Sequence, residues 1–221
     1  MPTSCTNCVI PAVIPADVTS LIETAERLTF APRLQIDIVD GRFATPASWP
    51  FAPAGMPAEV AGVCEQFDVQ VDIMAVDPLA MAEAWIGAGA QEIVIHLESV
   101  ADPEPFFSLR QKYGTQLWLS GADTLPIERY VAHQNDIDGV QLMGIATIGQ
   151  QGQPLSPRVV ENITALRTAA PDLPIQIDGS VNQETIGSLR EAGASHFVVG
   201  SAIVGADNPR AVYQELRQQI C

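Results

Sequence analysis

Short apolar runs alternate along the chain with amphipathic stretches of about ten to fifteen residues, the pattern of a β-α-β protein. Most of the apolar runs are continuous, as is typical of parallel strands buried on both faces. Eight of them are predicted as strands: Cys8–Val13, Leu34–Val39, Val69–Met74, Glu92–His96, Gln116–Leu119, Gly139–Met143, Ile175–Asp178 and His196–Val199. Eight strand–helix units in 221 residues predict an α/β fold, a (β/α)8 or TIM barrel forming a single domain over residues 1–221. The alternative is an open, doubly wound sheet, but no G-x-G-x-x-G motif follows the first strand to support it.

Helical periodicity and helix-boundary residues are both present between the strands. The first helix is predicted to bury one face, formed by Val18, Leu21, Ile22, Ala25 and Leu28. Ser156-Pro157 and Asn208-Pro209 each predict a helix start, with an N-cap residue followed by proline at the first helical position. Gly89 and Gly193 predict helix ends just before strands, because glycine readily adopts the left-handed C-cap conformation.

The balance of charges excludes several kinds of partner. The sequence contains 26 acidic and 11 basic residues, a formal net charge of −15, and no basic run offsets the excess of acid. We therefore expect neither a nucleic acid nor an anionic membrane surface as a partner. Lys112 is the only lysine and falls in the fourth predicted helix, so Schiff-base aldolase chemistry has no lysine at a strand end to use.

The N-terminal segment and the cysteines bear on location. The segment has no cationic stretch and no long apolar core, so it does not predict a secretory signal, and no apolar run is long enough to span a bilayer. Among the four cysteines, Cys5 and Cys8 form a C-x-x-C, which is half of a zinc ribbon or a redox pair. Because no second pair follows, two reduced thiols are the favoured interpretation, and the expected location is the cytoplasm.

Two aspartates are candidates for acid–base chemistry, because a (β/α)8 barrel carries its active site at the C-terminal ends of the strands. Asp37 and Asp178 lie at the ends of strands two and seven, on opposing walls of the barrel mouth. Two facing carboxylates can remove a proton from one face of a carbon and return it to the other, which inverts a stereocentre next to a carbonyl through an enediolate. Each acid would need a raised pKa or a nearby cation, since an ordinary aspartate is a weak base. The competing interpretation is that both acids cap loops or pair with arginines.

Glycine-rich loops follow the last three predicted strands. Gly144–Gln153 is a long loop rich in glycine and glutamine, and Gly179-Ser180 and Gly200-Ser201 end strands seven and eight. Backbone N–H groups of such loops hold a phosphate without side-chain charge, and loops after strands seven and eight are the usual phosphate site of this fold. The competing interpretation is a set of tight turns that need a positive φ.

At these residues the sequence resembles the ribulose-phosphate 3-epimerase family, collinearly from Pro11 to about Arg217. The specific pieces are Gln35–Phe43, which is similar to H-[IVL]-D-[IVL]-M-D-G-x-F, and Gly200–Ile203, which matches G-S-A-[IL]. Weaker supporting similarities lie in Pro11–Asp17, Asp72–Met74, Ala88–Glu98, Met143–Gln153 and Ile177–Val181.

This resemblance implies a (β/α)8 barrel and an isomerase that epimerises a phosphorylated ketose, with Asp37 and Asp178 as the acid and the base. It implies that the last three βα loops hold the phosphate and that strand-end methionines line the site. The expected substrate-binding residues are Met74, Met143, Gly149, Gly152, Gly179, Ser180, Gly200 and Ser201. It also implies a homo-oligomer, a phosphorylated sugar as the partner, and one divalent metal cofactor (Mg, Mn, Fe or Zn) that stabilises the enediolate.

The sequence departs from the family at the metal site, where Gln35 and Asp72 replace its two metal-binding histidines. Pro15 replaces a strand-one serine and Val39 one of three site methionines. The expected metal ligands are accordingly Gln35, Asp37, Asp72 and Asp178. A set that is nearly all oxygen suits Mg²⁺, Mn²⁺ or Ca²⁺ better than Zn²⁺. Without a metal, repulsion among three acids in one site would raise at least one pKa.

Two alternatives to the epimerase remain open. One is a sugar-phosphate lyase, because Asp72, Met74 and Asp77 lie where decarboxylases of the same barrel superfamily carry D-x-K-x-x-D, although the required lysine is a methionine here. The other is a catalytically altered or inactive paralogue that binds a sugar phosphate, which the lost histidines suggest.

Overall fold

The core of the molecule is a closed barrel of eight parallel strands, in a computed structural model that describes residues 8–149 and 152–221. The strands are β1 Val9–Val13, β2 Arg33–Val39, β3 Asp68–Met74, β4 Glu92–His96, β5 Gln116–Gly121, β6 Gly139–Met143, β7 Ile175–Asp178 and β8 His196–Val199. Each strand pairs with the next, and β8 pairs with β1. The predicted barrel is confirmed, every predicted strand is present within two residues of its expected bounds, and closure excludes the open sheet.

Helices follow the strands and pack outside the barrel. They are α1 Val18–Arg27, α2 Ala61–Gln66 (which continues the 3₁₀ turn Pro57–Val60), α3 Leu79–Gly87, α4 Glu104–Tyr113, α5 Glu128–Val131, α6 Val159–Ala169, α7 Ile186–Ala192, α8 Ser201–Val204 and α9 Pro209–Ile220. Within residues 8–149 and 152–221, no helix combines the length and apolar character needed to cross a membrane. Cys5 of the C-x-x-C lies outside the described residues, so the prediction of two reduced thiols stays a prediction.

The helix boundaries agree with the sequence in part. Asn208 caps α9 as expected, because its side-chain oxygen accepts a hydrogen bond from the N–H of Ala211. The N-cap of α6, which begins at Val159, is Arg158 and not Ser156. The Ser156 hydroxyl accepts from the N–H of Arg158 at 3.2 Å and donates to the Asp123 carboxylate at 2.6 Å. Ile22, expected on the buried face of α1, is 38% exposed.

The strands differ from the expectation of continuous apolar runs. In β2, β3, β6 and β7, apolar and polar residues alternate, so that one face of each strand points outward to the helices and the other into the barrel. The outward residues, such as Ile36 of β2 and Val71 of β3, belong to the main hydrophobic core. That expectation was therefore wrong for half of the strands, because the inside of this barrel is polar.

Polar side chains fill most of the barrel and bond to one another. The buried polar residues on the inward strand positions are Arg33, Gln35, Asp37, Gln70, Asp72, Glu92, His96, Ser120, Gln141 and Gln176. A small apolar cluster completes the interior, formed by Ile10, Ala12 and Val198. Burying so many polar groups is tolerated where they find hydrogen-bond partners. Some of these partners lie on neighbouring strands, as for Gln70 and Glu92, and others lie across the barrel, as for Gln70 and Gln176.

Candidate active site

The C-terminal ends of the strands surround a cavity of about 280 Å³. Ten of the residues expected to act as acid, base or substrate ligand line it: Asp37, Met74, Met143, Gly149, Gly152, Asp178, Gly179, Ser180, Gly200 and Ser201. Gln35 and Asp72 do not line the cavity but are fully buried. Gln35 lies two residues before Asp37 on β2, and Asp72 is the residue of β3 in register with Asp37. The strand ends thus bring the expected acid–base pair and the expected phosphate loops to one opening.

The two candidate acids are joined by a glutamine. The side-chain nitrogen of Gln35 donates one hydrogen bond to Asp37 Oδ1 at 2.7 Å and another to Asp178 Oδ2 at 2.8 Å. Gln35 and Asp37 share a face of β2 because they are two residues apart, and β7 brings Asp178 from across the barrel. The amide group therefore holds the two carboxylates at a fixed separation.

The direction of the Gln35 amide is set by a second glutamine, Gln176. Its nitrogen lies 3.1 Å from the side-chain oxygen of Gln35, 2.8 Å from that of Gln70 and 2.7 Å from that of Gln141. The two hydrogens of this nitrogen are shared among the three oxygens, and the contact with the Gln35 oxygen favours the orientation in which the Gln35 nitrogen points the other way. Gln35 is consequently held with its N–H groups toward the two aspartates.

The third acid of the cluster, Asp72, is engaged by other partners. His96 Nε2 lies 2.9 Å from Asp72 Oδ1, and the side-chain nitrogen of Gln141 donates to Asp72 Oδ2 at 2.8 Å. Burial, the largest single influence, lowers the pKa of His96, but Asp72, Glu98 and Asp178 together raise that pKa above its ordinary value. Asp72 and His96 therefore form a buried, hydrogen-bonded pair beneath the acid–base pair.

The pKa values of the acid–base pair are raised. Burial is the largest cause at both residues, and it raises the pKa of Asp178 to about 7, with Asp72 adding to the effect. Burial, Asp178 and Asp72 together raise the pKa of Asp37 well above its usual value, against the opposing hydrogen bond from Gln35. Near neutral pH the pair therefore retains a proton, so one member is an acid while the other can act as a base.

The loops after β6 and β7 are tied together on one side of the cavity. The Ser180 hydroxyl donates to the main-chain oxygen of Gln153, and Ser180 itself is left-handed at φ +56°. The Gln153 side chain bonds both the N–H and the oxygen of Thr147, at 3.0 and 2.6 Å. Gly179 has φ +103°, and a Cβ there would lie 2.9 Å from Ile145. These contacts fix the positions of Thr147, Gln153 and Ser180 relative to one another.

The loop after β2 is anchored by Asp40. Its Oδ1 accepts from the N–H groups of Arg42 and Phe43, each at 2.7 Å, and its Oδ2 accepts from the N–H of Val76 at 2.8 Å. One carboxylate therefore fixes the loop after β2 to the loop after β3, beside Met74. The sequence interpretation did not assign Asp40 a role.

The hydrogen bonds of the expected metal ligands decide whether these residues could hold a cation. One oxygen from each of Asp37, Asp72 and Asp178 lies within 4.8 Å of the others, close enough for a shared cation. Gln35, however, presents N–H groups to Asp37 and Asp178, and an amide nitrogen has no lone pair for a metal. Asp72 is hydrogen-bonded to His96 and Gln141 but keeps a lone pair on each oxygen, so the misfit lies at Gln35. With the Gln35 amide bonded as it is here, the set of four does not fit a divalent metal.

Several residues of the site were not predicted, among them His96, Gln141, Gln176, Gln153 and Asn182, of which the last two line the cavity. A signal for the glutamines was present in the sequence. Four glutamines stand two residues before strand-end candidates, in the pairs Gln35/Asp37, Gln70/Asp72, Gln141/Met143 and Gln176/Asp178. Residues two apart share a face of a strand, so this pattern indicates a glutamine layer directly below the site.

Comparison with known sequences gives consistent matches. The model of the ribulose-phosphate 3 epimerase family matches residues 8–204. The ribulose-phosphate 3-epimerase of Mycobacterium bovis is 30% identical over 217 residues, covering 96% of this chain and 92% of that protein. The protein named ribulose-phosphate 3-epimerase, cytoplasmic isoform, from Oryza sativa subsp. japonica is 29% identical over 220 residues, covering 96% and 93%.

Solved structures with the same barrel fold superpose on nearly the whole chain. A 3-hexulose-6-phosphate synthase superposes with a TM-score of 0.72 at 18% identity, over 96% of this chain and 99% of that one. The 3-keto-L-gulonate-6-phosphate decarboxylase of Vibrio cholerae superposes with a TM-score of 0.73 at 14% identity, over 96% of each chain. At these identities the likeness shows the shared barrel alone.

Proposed function

Because the chain belongs to the ribulose-phosphate 3-epimerase family, whose members are isomerases of carbohydrate phosphates, we propose that it epimerises a phosphorylated ketose at the carbon next to the carbonyl. The substrate proposed for testing is D-ribulose 5-phosphate. The observation that carries the proposal is the pair Asp37 and Asp178, joined through Gln35 at the floor of a cavity whose rim is a set of glycine loops.

The two aspartates exchange roles in each turnover. The ionised member takes the proton from C3 of the ketose, the C3–H electron pair forms a C2–C3 double bond, and the carbonyl electrons move to the C2 oxygen to give an enediolate. The protonated member then delivers its proton to the opposite face of C3, and the carbonyl re-forms. One proton is consumed and one supplied, so the pair ends each cycle with its proton on the other carboxyl. The raised pKa values of Asp37 and Asp178 support this, since they keep one proton on the pair near neutral pH.

The phosphate is proposed to bind against the backbone of the loops after β6, β7 and β8. Among the described residues lining the cavity there is no lysine or arginine. Backbone N–H groups around Gly152, Gly179 and Gly200, with the side chain of Ser201 nearby, would supply the hydrogen bonds. A chain with a net charge of −15 can still bind an anionic substrate in this way. Backbone N–H groups hydrogen-bond a phosphate without any basic side chain.

The methionines Met74 and Met143 are proposed to flank the sugar carbons. Both are buried at the strand ends and line the cavity. A thioether is apolar and polarisable, so it can cover an enediolate without donating or withdrawing a proton and can exclude water from it. No step of this proposal is assigned to a divalent metal, because the Gln35 amide, bonded to Asp37 and Asp178, does not fit one.

A cellular location and an oligomeric state are proposed as well. The interpretation of the cysteines as reduced thiols and the name of the Oryza sativa relative favour a cytoplasmic location. A homo-oligomer, expected from the family resemblance, is proposed likewise.

The proposal is tested by following deuterium entry at C3 of D-ribulose 5-phosphate in D₂O by proton NMR, together with formation of the C3 epimer. We expect exchange with the unaltered protein, and a fall of about 10²–10⁴-fold in Asp37→Asn and in Asp178→Asn, the range for losing one acid–base group. Asp207 is an exposed aspartate between α8 and α9, and Asp207→Asn serves as the matched control. This variant should catalyse deuterium exchange at the rate of the unaltered protein. Absence of exchange in the unaltered protein would refute epimerisation of this substrate. Binding without exchange would then favour the inactive paralogue, and loss of carbon dioxide from a 3-keto acid phosphate would favour the lyase.

A further inference from the structure

The amide of Gln35 occupies the space between the two acids where a shared cation would have to bind. We infer that this amide group joins Asp37 to Asp178 in place of a divalent metal, and that the protein performs its chemistry without one. The part of the inference that concerns catalysis rests on the proposed function, whereas the part that concerns metal binding does not.

The first argument is the contact geometry. A cation shared by Asp37 and Asp178 needs an oxygen of each carboxylate at about 2.0–2.6 Å. In this molecule the Gln35 nitrogen lies 2.7 Å from Asp37 Oδ1 and 2.8 Å from Asp178 Oδ2, which are hydrogen-bond distances. Both hydrogens of the amide are used on these oxygens, so the nitrogen and a metal would compete for the same place.

The second argument is that the amide cannot simply reverse to offer its oxygen. The Gln35 oxygen lies 3.1 Å from the nitrogen of Gln176, whose two hydrogens are shared among the side-chain oxygens of Gln35, Gln70 and Gln141. Reversal would set the Gln35 oxygen against Asp37 and Asp178, of which one is ionised, and its nitrogen against the Gln176 nitrogen. Gln35 and Gln176 are both 0% exposed, so no solvent would compensate for the lost bonds.

The third argument is that the remaining acid is also supplied with donors. Asp72 accepts from Gln141 on one oxygen and contacts His96 on the other. Gln70, the neighbour of Gln35 in the glutamine layer, donates to Glu92 at 2.9 Å in the same manner. Three of the four glutamines of the layer, Gln35, Gln70 and Gln141, therefore direct N–H groups at carboxylates, which is the role that a cation would otherwise fill.

The test compares metal binding by the purified full-length protein and by two Gln35 variants. Gln35→Glu keeps the shape of the side chain and replaces the donor with an oxygen ligand, and Gln35→His replaces it with a neutral nitrogen ligand. Gln116→Glu adds the same charge at an exposed position at the opposite end of the barrel and is the matched control. Circular dichroism establishes that each variant is folded, elemental analysis gives bound metal, and calorimetry measures the affinity for Mn²⁺ and Zn²⁺.

We expect the unaltered protein and Gln116→Glu to be purified without stoichiometric metal, and at least one Gln35 variant to bind Mn²⁺ or Zn²⁺ at least about tenfold more tightly, which equals about 1.4 kcal/mol. Treatment with EDTA should leave C3 deuterium exchange by the unaltered protein unchanged. Stoichiometric metal in the unaltered protein, loss of exchange after EDTA, or no gain of affinity in either folded variant would each overturn the inference. If the unaltered protein shows no exchange at all, the proposed function fails, while the comparison of metal affinities still decides the role of Gln35.

Discussion

Replacing Asp178 with asparagine should make the protein progressively more stable than the unaltered chain as the pH rises. Burial and the neighbouring Asp72 raise the pKa of Asp178 to about 7 in the folded protein, against an ordinary value of 3.8. Between these two values the folded chain holds a proton that the unfolded chain has released. The contribution of Asp178 to the free energy of unfolding is therefore fully present below pH 3.8 and is lost as the pH rises through 7.

The size of the effect follows from the separation of the two values. They differ by about three pH units, and each unit corresponds to about 1.36 kcal/mol, so the full effect is about 4 kcal/mol. About 3 kcal/mol of it falls between pH 5 and pH 8.5, because the unfolded chain is already largely ionised at pH 5. Removing Asp178 also removes a charge that raises the pKa of Asp37, which acts in the same direction.

The assay is urea unfolding of the unaltered protein and of Asp178→Asn at pH 5 and pH 8.5, with tryptophan fluorescence as the signal. The difference in unfolding free energy between the two proteins should shift by about 3 kcal/mol in favour of the variant at the higher pH. Asp207→Asn, at an exposed position, should show no such shift. A difference that is unchanged between the two pH values would refute the conclusion that Asp178 is held protonated by its surroundings.

Three further substitutions test other features of the site. Gly144→Ala should destabilise the protein by about 1–3 kcal/mol in urea unfolding, because a Cβ at Gly144 would lie 2.1 Å from the main-chain oxygen of Gly179. Asp40→Ala should accelerate hydrogen exchange at the three backbone amides that its carboxylate accepts and cost about 2–4 kcal/mol of unfolding free energy, at roughly 1 kcal/mol or more for each lost bond. Ser180→Ala should raise the KM for the sugar phosphate by about tenfold with little change in kcat, because it frees the Gln153 carbonyl and loosens the phosphate loops without touching the acids.

Matched variants separate these effects from general damage. Gly62→Ala introduces a methyl group in α2 where no atom lies within 4 Å, so it should be neutral or stabilising. If Gly144→Ala behaves like Gly62→Ala, the close approach of the loops after β6 and β7 is not a constraint. Unchanged exchange at the three amides in Asp40→Ala would contradict the anchoring role of Asp40. A loss in kcat larger than the rise in KM would show that Ser180 acts on the reacting atoms.

The barrel and the meeting of Asp37 and Asp178 at one cavity could be predicted from the sequence for a common reason. Outward strand residues such as Ile36 and Val71 must be apolar to pack against helices, and these apolar residues allow the strands to be recognised from the sequence. Site residues lie at strand ends, so Asp37 and Asp178 follow once the strands are placed. The inward polar residues are not recognisable from the sequence as the interior of a barrel. Alternation of apolar and polar residues in a strand normally indicates that the polar face lies in water, whereas here the polar face lies inside the barrel.

The bonding of Gln35 could not be predicted in the same way. Its position below Asp37 follows from a spacing of two, but the direction of its amide depends on Gln176, 141 residues later in the chain. The same holds for Asp72, whose partners His96 and Gln141 come from β4 and β6. The spacing of residues in a strand indicates which side chains lie near the site. Whether the Gln35 amide presents its donor or its acceptor to the aspartates depends on partners that only the closed barrel brings together.

The glutamine layer has a consequence for how the chain folds. Gln176 contacts Gln35 and Gln70 across 141 and 106 residues of sequence, and Gln35 contacts Asp178 across 143. Some inward polar groups find partners only in the other half of the barrel: Gln176 contacts Gln35 and Gln70, and Gln141 donates to Asp72. Isolated half-barrels would therefore expose a polar seam, and we expect the eight units to fold in one cooperative transition instead of assembling from two stable halves.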